Sequence, residues 1–276
     1  MYEQYWNLKE KPFQNTPDSK FLYLSNQHED ALIKLSYVLA QDLGCGVLTG
    51  VFGCGKTLLG RVMLKDLGAD RYSCAFITNP AVSEPVEFLR SIVRGLSPQQ
   101  LPEKKTELLA DSLLEKLSGI LVDNVRDGKK NIIIIDEAHT IEDVRMFDQM
   151  RLLLNFQMED KFLLTLFIIG QPELRDKILA NKPLDQRVAI RCNLGALSEE
   201  DVEKYMMHRL RVAGRPDGQV PIFEKDSIKA ITQFSGGIPR RVNTVSDLAL
   251  MTGFARKADK IQASLIQEVV KDFNLT

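Results

Sequence analysis

The chain has 276 residues, of which 44% are hydrophobic and 26% are charged, and its formal net charge at pH 7 is −1. This is the composition of a soluble globular protein, and the length suffices for one large domain or two smaller ones. The nearly balanced charge gives no reason to expect nucleic acid as an obligatory partner, although a local basic patch is compatible with it.

The cysteines and the apolar runs indicate in which part of the cell the protein is expected. Cys45, Cys54, Cys74 and Cys192 show neither C-x-x-C pairing nor metal-ligand spacing, which favours a reduced cytosolic setting. The N-terminus is polar and aromatic, unlike a signal peptide, and the apolar run 162–170 is too short to span a bilayer. We therefore expect no transmembrane segment and a cytoplasmic protein, which would reach the inner membrane only through a partner.

The first 24 residues have little periodicity but many aromatic side chains. These are Tyr2, Tyr5, Trp6, Phe13, Phe21 and Tyr23. They either cap the edge of a core or form the wall of an adenine pocket, and the sequence favours neither role. Ser25 and Asn26 then predict the start of a helix that runs to about Leu43.

The segment Gly50–Thr57 fits G-x-x-x-x-G-K-[ST], the pattern of a phosphate-binding loop. A short apolar run at 46–48 predicts a strand before it, and the residues from Leu58 to about Gly68 predict a helix after it. Glycines let successive backbone N–H groups point into one concavity, and the helix adds its own unpaired N–H groups. The pattern therefore predicts a nucleotide triphosphatase.

Each residue of the loop has an expected role. Lys56 can reach the β- and γ-phosphates, and the Thr57 hydroxyl can bind Mg²⁺. The Cys54 thiol, close to a lysine and a helix N-terminus, is either a reactive group of lowered pKa or a passive small residue. The residues expected to bind the nucleotide are Gly53, Cys54, Gly55, Lys56, Thr57 and Leu58.

Strands and helices alternate over the rest of the first two thirds of the chain. This order predicts right-handed crossovers and a mostly parallel, five-stranded α/β sheet with helices on both faces. The predicted strands after the loop are 72–78, 131–137, 162–169 and 187–194. The predicted helices are 83–95, 106–127, 141–157 and 172–180, with a loop at 97–102.

Two carboxylates end the buried strand at 131–137. Asp136 is expected to hold Mg²⁺ directly or through water, because ligands of open α/β sheets bind at the carboxyl ends of strands. Glu137 is the candidate base that polarises the attacking water. His139 either adjusts a contact between nucleotide and effector or is simply a polar residue at a helix start.

The pattern changes after residue 195, from where only helices are predicted. Ser198, with Asp201 three residues later, caps the first of them, which runs to about Ala213. A loop at 214–221 and helices at 224–234, 239–256 and 263–274 follow. We expect an αβα nucleotide-binding domain at 1–195, with 1–24 near the adenine pocket, and a small helical lid domain at 196–276.

The phosphate loop, the acidic strand end and the helical tail together resemble the AAA+ ATPases. More narrowly, the chain resembles the general secretion pathway A-type ATPases, which serve type II secretion, pilus biogenesis and related envelope systems. The segments that carry this resemblance are Tyr5–Phe13, Thr16–Asp18, Phe21–Ser25, Ile169–Leu174 and Leu197–Glu200. Long members continue into a membrane span and a peptidoglycan-binding module, which this sequence does not reach, so neither anchoring nor wall binding is expected of it.

The resemblance implies roles for four further residues. Gln171 occupies the sensor-1 position, where an amide can orient water against the γ-phosphate; a plain turn residue is the alternative. Arg187, with Arg191 as second choice, lies in the arginine-finger region, and a surface salt bridge is the alternative there. Arg240 of the segment Gly236–Arg241 fits the sensor-2 position in the lid, with Arg241 facing outward.

Three functions follow from these features. The first is a Mg²⁺-dependent ATPase that acts as an oligomeric motor or switch. Its subunits would form a ring, for example a hexamer, and its partner would be an envelope or membrane protein. The second is an ATP-dependent DNA-binding regulator like the transposition target-selection ATPases, which the balanced charge disfavours. The third is a binding module with negligible hydrolysis, against which Asp136, Glu137 and Gln171 argue.

Overall fold

The computed structural model describes residues 1–16, 18–66, 70–82, 84–100, 109–158, 161–216 and 218–274. Some predicted boundaries lie outside these residues. They are the end near Gly68 of the helix after the phosphate loop, the start of the predicted helix 83–95 and the start of the predicted helix 106–127. Parts of the predicted loops 97–102 and 214–221 also lie outside them. Among the described residues, no helix is both long and apolar enough to cross a membrane.

Five parallel strands form one sheet, namely β1 (Cys45–Gly50), β2 (Tyr72–Ile77), β3 (Lys130–Ile135), β6 (Leu164–Gly170) and β7 (Val188–Leu194). Their order across the sheet is β2-β3-β6-β1-β7. The isoleucines 132–135 of β3 are completely buried, as suits an inner strand with both faces covered. The predicted five-stranded parallel sheet is confirmed, and the carboxyl ends of β3, β6 and β1 lie side by side at one edge.

Seven α-helices, among the described residues, belong wholly or mainly to the part of the chain that carries this sheet. They are α1 (Asn26–Ala40), α2 (Lys56–Asp66), α3 (Pro85–Leu96), α4 (Ala110–Arg126), α5 (Val144–Leu153), α6 (Glu173–Ala180) and α7 (Lys182–Asp185). Their apolar stripes bury residues such as Phe88 and Leu117 in one core with the sheet. Sequence periodicity predicts most of these helices, but not the short α7.

Two helices end earlier than predicted for local reasons. α5 ends at Leu153 because the chain turns into a small antiparallel hairpin of β4 (Gln157–Met158) and β5 (Lys161–Phe162). α1 ends before Leu43 because Asp42 has a φ of 50°, a left-handed conformation that stops a helix.

The described residues form two compact units, one made of 28–51 and 59–194, the other of 1–27, 52–58 and 195–276. The second unit contains α8 (Glu199–Val212), α9 (Lys225–Ser235), α10 (Pro239–Ala255) and α11 (Ala263–Asp272). The predicted helices of the C-terminal part are confirmed. Ser198 caps α8 as predicted, since its hydroxyl accepts the Asp201 N–H at 3.1 Å.

The N-terminal segment belongs to this helical unit rather than to the unit that carries the sheet. Tyr2, Trp6, Phe13 and Phe21 are buried in one cluster with residues of the C-terminal helices. The indole N–H of Trp6 donates to the carbonyl of Leu250 at 2.9 Å. These aromatic side chains therefore complete a core, and the idea that the segment lies near an adenine pocket stays a prediction.

Candidate nucleotide-binding and hydrolysis site

The phosphate loop joins β1 to α2. β1 ends at Gly50 and α2 begins at Lys56, so the strand-loop-helix order required by the motif is present. Gly53 and Gly55 have φ values of 82° and 98°, a region that glycine enters without steric cost. The loop thus curls directly onto the N-terminus of α2, which is the arrangement that binds phosphate.

Arg240 contacts the loop within the helical unit. Its backbone N–H donates to the carbonyl of Gly53 at 3.3 Å, and its guanidinium lies over the ring of Phe52. A Cβ added to Gly53 would lie 2.7 Å from the Cβ of Arg240, so this close approach requires glycine. As predicted, Pro239 begins α10 and Arg240 stands in its first turn.

Asp136 and Glu137 follow the end of β3. Asp136 is 2% exposed, and its Oδ1 accepts the backbone N–H of Glu137 at 2.9 Å. Glu137 has φ 56° and ψ 30°, a left-handed conformation that costs a residue with a side chain about 1–2 kcal/mol. Thr140 stabilises this turn, because its hydroxyl and its N–H both donate to the carbonyl of Glu137. Such a strained position at a strand end is typical of a functional residue.

Gln171 follows the end of β6, the neighbour of β3. Its Nε2 lies 2.8 Å from Nε2 of His139, and Nδ1 of His139 lies 3.5 Å from Oε2 of Glu137. The structure therefore brings Glu137, His139 and Gln171 together. The sequence predicts the first and third of these as site residues, but nothing in the chain's pattern indicates that His139 bridges them.

Of the two arginines in the strand predicted at 187–194, only Arg191 lies within the observed strand. Arg187 precedes β7 and donates from Nη1 to the carbonyl of Arg151 at 2.7 Å. Arg191 lies within β7 and forms an ion pair with Asp185. The pairing of β7 with β1 shifts register between Cys45 and Gly46, which interrupts the alternation of side chains between the two faces of β7. The sequence pattern does not reveal this irregularity. The choice between the two as arginine finger stays a prediction.

The Cys54 thiol is not activated. It is completely buried, and burial raises its pKa, outweighing the opposite effect of Lys56. Of the two alternatives for Cys54, the lowered pKa is therefore contradicted and the passive small residue is favoured, because proximity to a cation counts for less than loss of solvent at this position.

The residues expected to hold Mg²⁺ fit that ion chemically. Thr57 offers a hydroxyl and Asp136 a carboxylate, which are the hard oxygen donors that Mg²⁺ prefers alongside phosphate oxygens and water. Within the described part of the chain, no group of three or more histidine, cysteine or acidic side chains is placed to hold a metal. Such a sparse protein contribution is normal for Mg²⁺ that arrives with a nucleotide.

Comparison with known proteins gives matches that agree with this geometry. The AAA domain family matches residues 40–178. The general secretion pathway protein A of Aeromonas hydrophila is 37% identical over 265 residues. That match covers 95% of this chain but only 46% of the relative, so the chain spans about half of the relative's length.

Solved structures share the fold at low identity. Cdc6p of Pyrobaculum aerophilum has a TM-score of 0.70 and 18% identity, covering 92% of this chain and 70% of that one. A chain of Drosophila ORC bound to DNA has a TM-score of 0.71 and 14% identity, and the match covers 99% of this chain and 66% of that one. With the match to the AAA domain over half of the sequence, these findings lead to one conclusion: the chain belongs to the AAA+ ATPase family.

Proposed function

We propose that this chain binds and hydrolyses ATP with Mg²⁺ and acts as an oligomeric motor or switch. One observation carries the proposal. An acidic pair follows β3, an amide follows β6 and the phosphate loop follows β1, and these three parallel strands are adjacent in the sheet. Ligands of open α/β sheets bind at this edge.

The proposed roles follow from the chemistry of each side chain. The loop backbone and Lys56 bind the phosphates, Thr57 and Asp136 hold Mg²⁺, and Glu137 accepts a proton from the attacking water. Mg²⁺, when bound, neutralises charge on the phosphate oxygens. Gln171 orients the water and the γ-phosphate.

Two arginines complete the proposed site. Arg240 reaches the nucleotide from the lid helix α10, which already contacts the loop through Gly53 and Phe52. Arg187 or Arg191 serves the nucleotide of a neighbouring subunit, and a contact of this kind contributes roughly 10³–10⁵ in rate. This is why we propose an oligomer, with a hexameric ring as one arrangement.

The substitution Glu137→Gln tests the hydrolysis. The variant should bind ATP but convert it to ADP far more slowly, because an amide cannot accept the proton. Lys56→Ala is the matched control that should lose binding itself. Single-turnover assays with radiolabelled ATP measure both, and product formation at the wild-type rate by Glu137→Gln would remove Glu137 from the base role.

The likeness to the Aeromonas hydrophila protein supports a place in a secretion or other envelope-assembly system, with an envelope protein as partner. The chain would then act in the cytoplasm or at the inner membrane through that partner. Neighbouring genes test this directly: secretion or pilus genes support it, whereas transposase genes contradict it.

The second candidate is an ATP-dependent DNA-binding regulator, favoured by the shared fold with ORC, one chain of which was solved on DNA. Binding of this kind releases counterions and weakens steeply as salt rises. Electrophoretic mobility of duplex DNA, with and without ATP at two salt concentrations, distinguishes it. ATP-dependent, salt-sensitive filaments on DNA would replace our first proposal with this one.

A further inference from the structure

His139 lies between the two side chains that hydrolysis is proposed to need. One ring nitrogen, Nε2, is 2.8 Å from the amide nitrogen of Gln171. The other, Nδ1, is 3.5 Å from a carboxylate oxygen of Glu137. The imidazole thus connects a side chain that follows β3 with a side chain that follows β6.

One contact bears on the position of the ring proton. As the Gln171 amide is oriented in this structure, its nitrogen donates, so Nε2 of His139 accepts and Nδ1 carries the hydrogen. Nδ1 is buried and has no full hydrogen bond among the described residues. A buried donor without a partner is unfavourable, because the loss of its contact with water is not compensated. The Nδ1–H group therefore favours a position of Glu137 slightly closer to the ring.

The backbone around His139 is fixed independently of its ring. The ammonium of Lys177 donates to the carbonyl of His139 at 2.5 Å and to that of Ile141 at 2.7 Å. A Cβ added to Gly170 would lie 3.0 Å from the backbone nitrogen of His139, so the glycine allows this turn to pass close to β6. The ring therefore projects from a turn that is held on both sides.

We propose that His139 is a positioning residue that couples Glu137 to Gln171. Its Nδ1–H group orients the carboxylate, and its Nε2 orients the amide, so that the two groups adopt their working geometry together. The proposal rests on the proposed ATPase function, because it assigns His139 a task in that reaction.

Three substitutions separate positioning from packing. His139→Phe keeps the ring volume but removes both nitrogens. His139→Asn keeps a donor near the position of Nδ1, and His139→Gln places an amide near that of Nε2. We expect kcat of the Phe variant to fall about 10–100-fold, which is the usual loss of activity when a partner that orients a functional side chain is removed. KM and the ATP dissociation constant should stay close to their wild-type values. The Asn and Gln variants should each recover part of kcat.

A spectroscopic measurement tests the same idea without ATP. The chain has three histidines, His28, His139 and His208, so the ¹⁵N signals of His139 can be assigned by their loss in His139→Phe or, if that variant does not fold, in His139→Gln. We expect the Nδ1–H tautomer in the wild type and a change of its Nδ1 shift in Glu137→Gln.

The outcomes are distinct. Absence of ATPase activity in the wild type would remove the proposed function, while the tautomer would still report on the contacts. An active wild type whose His139 carries its proton on Nε2 overturns the coupling. So does a folded Phe variant with wild-type kcat, which would make His139 a packing residue of the turn.

Discussion

The guanidinium of Arg240 lies over the ring of Phe52, with its Cζ 4.8 Å from the ring centroid. Phe52 is 55% exposed, so this is a surface cation–π contact of about 0.5–1 kcal/mol. Arg240 is also the residue that we propose to contact the nucleotide. The stack on Phe52 and the contact with phosphate are therefore alternatives for one guanidinium.

Removing the ring should strengthen ATP binding. We expect Phe52→Leu to raise ATP affinity about 2–5-fold, the equivalent of the lost cation–π contact. Isothermal titration calorimetry measures the effect, and the same substitution in an Arg240→Ala background should have none. If Phe52→Leu weakens binding, the ring itself contacts the nucleotide.

The proposed finger can be tested by mixing two inactive proteins. Arg187→Ala should bind ATP without turnover, and Lys56→Ala should not bind ATP, yet its arginine can serve a neighbour's site. A random 1:1 mixture should recover about a quarter of the wild-type rate per subunit in a ring with heterologous interfaces. Because Arg187 also holds the carbonyl of Arg151, thermal unfolding of the variant is the stability control.

The same mixture made with Arg191→Ala decides between the two arginines. Recovery with one and not with the other identifies the finger. If neither variant loses turnover alone, and wild-type activity per subunit does not depend on protein concentration, a finger acting on a neighbouring subunit is excluded.

Two adjacent glycines of the helical unit provide a matched pair for stability. Both have positive φ, 61° for Gly236 and 71° for Gly237. A Cβ on Gly236 would meet nothing within 4 Å, whereas one on Gly237 would lie 2.1 Å from the carbonyl oxygen of Leu197. We expect Gly236→Ala to lower the free energy of unfolding by about 1–2 kcal/mol and Gly237→Ala by clearly more. Chemical denaturation measures both, and equal losses would contradict the close contact.

The thiols should react slowly in the folded protein. Burial raises the pKa of Cys45 and of Cys74 to about 12 and also raises the pKa of Cys54 and of Cys192. The reactive thiolate is therefore scarce at pH 8. Ellman's reagent should detect far fewer than four thiols before unfolding and all four after it. Rapid labelling of Cys54 at neutral pH, located by mass spectrometry, would contradict this prediction.

His208 should make the protein less stable in mild acid. Burial, and then the charges of Arg211 and Arg209, lower its pKa in the folded state. Below an unfolded-state pKa of about 6.5 the unfolded chain binds a proton that the folded chain does not, so stability falls as the pH falls through that value. His208→Phe should lose less stability than the wild type between pH 7 and 5. Identical losses in urea denaturation would show that His208 does not contribute.

The sheet and the loop are predictable because their signals are local. Four consecutive isoleucines indicate an inner strand wherever they occur, and the phosphate loop specifies its own strand and helix. Ser198 caps α8 through a residue three positions away. In each case the interaction partners are close in sequence.

The features that sequence misses depend on distant partners or on very short segments. The hairpin of β4 and β5 has two residues in each strand, too few for a periodic pattern. The contact between His139 and Gln171 requires β3 and β6 to be neighbours, which sequence order alone does not reveal. The pKa of Cys54 is raised by burial, which a motif does not report.

The burial of Trp6 among the C-terminal helices has a consequence for biosynthesis. The N-terminal segment completes a core whose other members, such as Val202 and Ile266, are synthesised much later. Contacts so distant in sequence form late, because a long loop has to close first. The helical unit therefore cannot finish folding until its C-terminal helices have been synthesised, and until then the aromatic N-terminal segment is exposed to chaperones.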